Sequence, residues 1–230
     1  MKFADRYAAG RQLAAILAHL EDRAPVVLAL PRGGVAVGFE IAQALGAPLD
    51  IVLVRKIGVP WQPELALGAV TDGGSPETFI DEDLAKALDI PESYVQEETT
   101  RQLEEIERRR RSYCAGRPPI AITGRAAIVV DDGIATGATM RVALRSLRRR
   151  NPAHLVLAVP VAPPETLAEL RKEADETVCL EMPDMLGAIG FYYRDFHQMS
   201  DAEVTDLLAR AAQPTPEAPT PASAQVGEAS

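Results

Sequence analysis

The chain has 230 residues, with 24 Lys or Arg against 33 Asp or Glu and a formal net charge of −9. A length of this order buries a full core, and 47% hydrophobic with 25% charged residues is the balance of an ordinary soluble globular domain. The acidic surplus argues against a general nucleic-acid or membrane surface, and no apolar run approaches the roughly 20 residues a membrane helix needs. The opening Met1-Lys2-Phe3-Ala4-Asp5-Arg6 lacks the apolar stretch of a secretory leader, and Cys114 and Cys179 stand alone. The expectation is a cytoplasmic protein with free thiols.

In chain order, Leu13, Ile16, Leu17 and Leu20 have helical spacing and predict an amphipathic helix over residues 5–20. The apolar run 26–30 predicts a buried strand, and 35–45 a helix stopped by Gly46 and Pro48. Residues 51–54 read as the next strand, 56–63 as a loop rich in Gly and Pro, and 58–67 as a mobile lid. A hairpin is expected between residues 67 and 80, turning around Asp72-Gly73-Gly74. Residues 92–113 predict a long polar helix inside a helical insertion over 80–117. Its Arg108-Arg109-Arg110-Arg111 run reads as a solvated face, because Glu97–Arg101, Glu104–Arg108, Glu105–Arg109 and Glu107–Arg111 are i,i+4 pairs in the favourable order.

Strands at 126–130, 155–159 and 177–180 then alternate with helices at 140–150 and 164–174. Alternation of this kind implies an α/β fold, a parallel sheet with helices on both faces. Ser200-Asp201-Ala202-Glu203 is a capping box for a last helix reaching residue 212. The expected domain is 1–212, followed by a disordered Pro/Ala-rich tail over 213–230.

The chemistry concentrates in Ile128-Val129-Val130-Asp131-Asp132-Gly133-Ile134-Ala135-Thr136-Gly137-Ala138-Thr139. A buried strand ends in two carboxylates, and small or hydroxyl residues lead into a helix. Ligands of open parallel sheets bind beyond the carboxyl ends of strands. Small residues let amides close on an anion at a helix N-terminus, while carboxylates accept hydrogen bonds from sugar hydroxyls. A sugar phosphate satisfies both halves. Leu30-Pro31-Arg32-Gly33-Gly34-Val35 ends an earlier strand with a glycine pair and an arginine fit for a diphosphate, and Arg55-Lys56 adds two cations.

Together these segments resemble the type I phosphoribosyltransferases. The likeness is to adenine-type enzymes and, in overall plan, to a bacterial group of unassigned substrate. It is carried by Pro31-Arg32-Gly33-Gly34, Gly46-Ala47-Pro48, Val54-Arg55-Lys56-Ile57-Gly58 and residues 129–140, within a span of 5–212. The resemblance implies a phosphoribosyl-diphosphate (PRPP) site. Asp131 and Asp132 would hold the ribose hydroxyls and, through water, Mg²⁺; Ala135, Thr136, Gly137, Ala138 and Thr139 would bind the 5-phosphate. Arg32, Gly33 and Gly34 would face the diphosphate, with Arg55 and Lys56 near it and near the flexible loop. Glu64, in Trp61-Gln62-Pro63-Glu64-Leu65, stands where adenine-type relatives carry a loop acid. Residues 187–196 look like the hood of hypoxanthine–guanine enzymes, within a hood region of 181–200. There Tyr192, Tyr193 and Arg194 are expected to face the ligand, while Phe191 and Phe196 are left open between packing and a ligand-facing role.

The implied activity is Mg²⁺-dependent phosphoribosyl transfer from PRPP to a nucleobase-like nitrogen acceptor, the chemistry of nucleotide salvage. A non-catalytic PRPP- or nucleotide-sensing regulator and a sugar-phosphate hydrolase or phosphorylase are the alternatives. Small molecules are the expected partners, without nucleic acid or membrane; relatives of this kind are commonly dimers, so a homodimer is expected. His19, His154 and His197 read as surface or packed residues, and no nucleophile elbow or His/Cys metal cluster is present in the sequence.

Overall fold

The computed structural model describes residues 2–72 and 76–213, with every side chain in that range except those of Pro63 and Glu64. In chain order the elements are α1 (Arg6–Leu17), β1 (Val26–Ala29), α2 (Gly33–Ala44), β2 (Leu49–Ile51), β3 (Val54–Val59), β4 (Gln62–Thr71), β5 (Glu77–Ile80), α3 (Glu82–Ala87), α4 (Glu92–Cys114), β6 (Ala126–Val130), α5 (Ala138–Arg149), β7 (His154–Val161), α6 (Pro164–Leu170), β8 (Glu176–Glu181) and α7 (Asp201–Ala211). Among the described residues, no helix is long and apolar enough to cross a membrane. Gly73 and Gly74 of the expected turn lie outside the described residues, as does the tail from 214 onward.

Five strands form one parallel sheet in the order β2-β1-β6-β7-β8. Every residue of β1 and β6 is buried, because alternate side chains enter opposite layers. Val27, Ala29, Ile128 and Val130 pack with Leu13, Leu17, Val37 and Ile41 from α1 and α2. Val26, Leu28, Ala127 and Val129 pack with Met140, Leu144 and Leu147 of α5 and Leu167 of α6. From β1 the chain winds outward through α2 to β2; from β6 it winds the other way through α5 to β7. Adjacent strands that diverge in this manner leave a crevice at their carboxyl ends. Ala29 lies opposite Val130, and the Leu30 amide donates to the Val130 carbonyl at 2.9 Å.

Residues 51–63 differ from the sequence expectation. The parallel strand stops at Ile51, and what reads as a Gly/Pro loop is the first part of a second sheet, β3-β4-β5, antiparallel throughout. Arg55 and Lys56 therefore belong to a hairpin rather than to the end of a parallel strand. The hairpin forms because Ile57, Val59, Leu67 and Val70 are fully buried against the main core. Gly58, which as sequence signals a break, sits at a register shift within the pairing. The expected mobile lid over 58–67 is thus the tip of an ordered hairpin, with Val59 opposite Gln62 and Trp61 64% exposed between them.

Helix α4 braces this hairpin. The Arg55 Nε donates to Gln102 Oε1 at 2.9 Å, and the Tyr94 hydroxyl to the Gly58 carbonyl at 2.8 Å. Within the arginine run, Arg109 and Arg111 pair at i,i+4 with Glu105 and Glu107, whereas Arg108, like Arg101 earlier in the helix, turns to an i,i+3 partner, Glu105 and Glu98 respectively. Arg110 departs from the expected solvated face altogether. It is turned inward, donating to both oxygens of Asp50 at 2.8 Å and to Asp72 Oδ2 at 2.8 Å. Asp50 also accepts the Ile51 and Ile120 amides, and Asp72 the Leu53 amide, so one guanidinium joins the parallel sheet to the hairpin sheet. Burial pushes the Asp72 carboxyl above its usual range, only partly offset by Arg110.

Removing one member of a buried ion cluster strands the others without a counter-charge. Arg110→Met should lower unfolding free energy by about 3–5 kcal/mol, whereas Arg111→Ala should change it by less than about 1 kcal/mol. Urea unfolding followed by circular dichroism checks both; equal effects would place Arg110 on the solvated face after all.

Candidate active site

The turn after β6 begins with Asp131 and Asp132, and two glycines of the neighbouring β1–α2 turn press against it. A Cβ on Gly33 would fall 1.8 Å from Asp132 Oδ2. One on Gly34 would fall 2.9 Å from the Val130 carbonyl oxygen and 3.0 Å from the Asp131 Cα. Both positions need glycine for close approach rather than for backbone freedom. The Pro31–Arg32 peptide between strand and glycine pair is cis.

Asp131 Oδ1 accepts the Asp132 amide at 2.8 Å, which fixes its rotamer. Asp131 is half-buried, with its Oδ1 packed toward Gly34. That burial, followed by the adjacent charge of Asp132, holds the Asp131 carboxyl well above the usual carboxylate range. Asp132 is gripped differently. Arg6, the first residue of α1, donates its Nε to Asp132 Oδ2 at 2.7 Å, and both side chains are largely buried. The Tyr193 hydroxyl donates to the Asp132 carbonyl at 2.6 Å.

Beyond the acids the chain forms an open cradle. Ala135, Thr136, Ala138 and Thr139 are exposed, and Gly137 caps α5 with φ 74°, a left-handed conformation that favours glycine. Among the described residues, no main-chain carbonyl accepts from the amides of 135–139, as expected for a helix start. The loop is braced from behind: Thr166 Oγ1 donates to the Ala135 carbonyl at 2.9 Å, and a Cβ on Gly137 would lie 2.8 Å from Thr166 Cγ2. Amides left open at the positive end of a 12-residue helix are the kind of donors that an anion can use.

The other expected residues are placed unevenly. Arg32 leaves the glycine turn partly exposed, its Nη1 3.7 Å from Asp201 Oδ1. Asp201 also accepts from the Tyr113 hydroxyl at 2.6 Å; burial and that acid push the Tyr113 hydroxyl up to about 12. Lys56 lies with Thr139 in the wall of a groove of about 720 Å³ between the hairpin sheet and α5. Asp131, Asp132 and Arg32 line none of it, so this groove flanks the cradle rather than containing it. Arg55 is turned to Gln102, away from that groove. The Glu64 side chain lies outside the described residues.

The hood departs most from expectation. Tyr193 does not face a ligand: it is 2% exposed, its ring 4.9 Å from Phe196 and 5.3 Å from Phe3, with only its hydroxyl reaching the acid turn. Of the two phenylalanines left open, Phe191 is 72% exposed and Phe196 packs on the Phe3–Tyr193 cluster. Tyr192 is half-buried against the Phe3–Tyr193 cluster, and Arg194 is exposed. The reason is a pairing that no local pattern announces. The Lys2 and Phe3 amides donate to the Tyr192 carbonyl, while the Arg194 and Asp195 amides donate to the Phe3 and Ala4 carbonyls, all at 2.9 Å. This seam sets which aromatic turns inward.

Arg6 escapes sequence reading for the same reason. It stands in a helical pattern next to the N-cap Asp5, and its partner is 126 residues away. His197 is surface-exposed between Asp195 and Glu203, as expected, and both cysteines are free thiols.

Comparison with known proteins agrees with this geometry. A model of the phosphoribosyl transferase domain matches residues 4–195. Two Mycobacterium tuberculosis proteins, from strains CDC 1551 / Oshkosh and H37Rv, are provisionally named phosphoribosyl transferases. Each is 46% identical to this chain over 209 residues, 91% of the chain and 47% of its own length. The chain thus spans about half the length of the curated relatives it matches. The crystal structure of TT1426 from Thermus thermophilus superposes with a TM-score of 0.80 at 44% identity, covering 93% of this chain and all of that one. The chain belongs to the phosphoribosyl transferase family.

Proposed function

We propose that this chain transfers a phosphoribosyl group from PRPP to a nucleobase-like nitrogen acceptor and releases diphosphate. The observation that carries the reading is the juxtaposition of paired carboxylates with open helix-terminal amides at the switch point between β1 and β6. A pentose 5-phosphate matches that pair: phosphate on the amides of 135–139, sugar hydroxyls on Asp131 and Asp132. Gly33 and Arg32, on the adjoining strand end, would then face the diphosphate.

In such a transfer the anomeric carbon loses diphosphate and gains nitrogen, so positive charge builds on the ribose and negative charge on the leaving group. A rigid cradle that holds phosphate and hydroxyls together supplies orientation, and fixed charges at both ends supply preorganised stabilisation. Asp131 and Asp132 would face the developing cation. Arg32 would face the developing anion, with Lys56 of the hairpin beside the cradle.

Magnesium fits this donor set only as a partner of the substrate. Among the described residues no group of three or more His, Cys, Asp or Glu could hold a metal ion, and one of the two turn acids is engaged by Arg6. The carboxylates suit a water-mediated role beside a cation carried on the diphosphate, where the metal would stabilise the leaving oxygens.

The activity is tested by incubating the full chain with PRPP, Mg²⁺ and a panel of nucleobases, scoring diphosphate release. Release that depends on one acceptor class supports the transferase. Release without acceptor indicates a hydrolase, and tight PRPP binding without turnover across the panel indicates a sensor.

A second prediction follows from Asp131. Its carboxyl binds its proton more tightly folded than unfolded, so ionising it weakens the ligand-free fold as pH rises from about 4 through its raised folded-state value. Asparagine keeps the oxygen that accepts the Asp132 amide and removes the charge. Asp131→Asn should melt at least about 2 °C higher at pH 8, with the gain closing toward pH 4, and should bind PRPP about 10- to 100-fold more weakly. Thermal melts across pH and PRPP titration read this directly. A lower melting point at pH 8 with unchanged PRPP affinity contradicts the assignment of Asp131.

A further inference from the structure

We infer that Arg6 is the built-in counter-ion of the sugar-binding turn. It claims one oxygen of Asp132, so the turn takes sugar hydroxyls rather than chelating a divalent cation. This rests on the functional reading above and adds a positioning residue to it.

The geometry is specific at every atom. Arg6 Nε donates to Asp132 Oδ2 at 2.7 Å, with side chains 8% and 14% exposed. Its Nη1 donates to the His197 carbonyl at 2.9 Å, and the guanidinium carbon lies 3.9 Å from the centroid of the Phe196 ring. A Cβ on Gly33 would come within 2.9 Å of the Arg6 Nε, so the glycine turn makes room for the arginine as well as for the acid. Among the described residues no N–H donates to Asp132 Oδ1, and the Asp132 carboxyl also lies within hydrogen-bond reach of the Asp131 carboxyl.

A buried ion pair adds little net stability, because desolvating both partners offsets most of their attraction. An arginine held on three sides behind the acid turn is better explained by what it does to the acid. Two adjacent carboxylates without a counter-charge attract a divalent cation. With Arg6 in place, one of the two is charge-balanced, and its remaining oxygen is oriented as a hydrogen-bond acceptor. Arg6 also ties that acid to the hood, since the same guanidinium grips the His197 carbonyl and the Phe196 ring. The carboxylate and histidine groups nearest this seam, Asp195 and His197, are exposed and pair with each other, leaving Arg6 as the cation that faces Asp132.

The test uses the full chain and three variants: Arg6→Gln, Arg6→Lys, and Arg6→Gln combined with Asp132→Asn. Mn²⁺ alone is titrated by electron paramagnetic resonance, PRPP with Mg²⁺ and inorganic diphosphate by calorimetry, and folding by circular dichroism. Arg6→Gln should bind Mn²⁺ about tenfold more tightly than the unaltered chain, and the added Asp132→Asn should abolish that gain. The same variant should lose about tenfold in PRPP affinity while diphosphate affinity stays within about twofold, and Arg6→Lys should recover most of the PRPP loss. A folded Arg6→Gln protein with unchanged Mn²⁺ and PRPP affinities overturns the inference, as does an equal loss for PRPP and diphosphate. Should Arg6→Gln fail to fold, Mn²⁺ binding by the unaltered chain and Asp132→Asn decides: equal affinities support the inference, and tighter binding by the unaltered chain overturns it. If the unaltered chain binds neither PRPP nor diphosphate, the functional reading fails, while the Mn²⁺ comparison still decides the role of Arg6.

Discussion

Two carboxylates and two glycines share one small volume at the seam between β1 and β6, and the rest of the site is arranged around that contact. The closeness is set by the sheet. Neighbouring parallel strands lie about 4.8 Å apart, so turns leaving both at the same level collide unless one lacks side chains. Gly33 and Gly34 yield the space, and Asp131 and Asp132 fill it. The strands supply the position, and opposite winding of α2 and α5 keeps the crevice clear of crossover helices.

Holding two acids in that space is electrostatically unfavourable, and the fold manages each differently. Asp131 carries the strain in its raised carboxyl, stabilised by the amide of its neighbour. Asp132 receives a cation from α1 and a hydroxyl from the hood. The second buried cluster, Arg110 with Asp50 and Asp72, serves the fold instead, fastening the hairpin sheet to the parallel sheet. One cluster tunes the turn, and the other positions the hairpin beside it.

Much of this was legible as sequence because it is encoded locally. Continuous apolar runs gave β1, β6 and β7, the Ser200–Glu203 capping box forms as expected, and Asp131–Thr139 declares an acid-then-cradle turn through residue type alone. The misreadings share one cause. Gly58 and Pro60 signal a loop in isolation, but Ile57, Val59 and Leu67 gain more by packing on the core, so a hairpin forms. Arg110 looks like its neighbours in a charged run, and only the fold brings Asp50 and Asp72 to it. Three aromatics in a row at 191–193 do not reveal which one turns inward; pairing with residues 2–4 decides that. Arg6 is illegible for the same reason, being defined by a partner 126 positions away.

The most direct test is a crystal structure of the chain soaked with ribose 5-phosphate, the part of the substrate that the cradle and the acids are argued to recognise together. The account predicts the phosphate on the amides of residues 135–139 and the sugar hydroxyls within hydrogen-bond distance of Asp131 and Asp132, with the Arg6 contact intact. A sugar phosphate seated instead in the groove between the hairpin sheet and α5, with the acid turn empty, would contradict it.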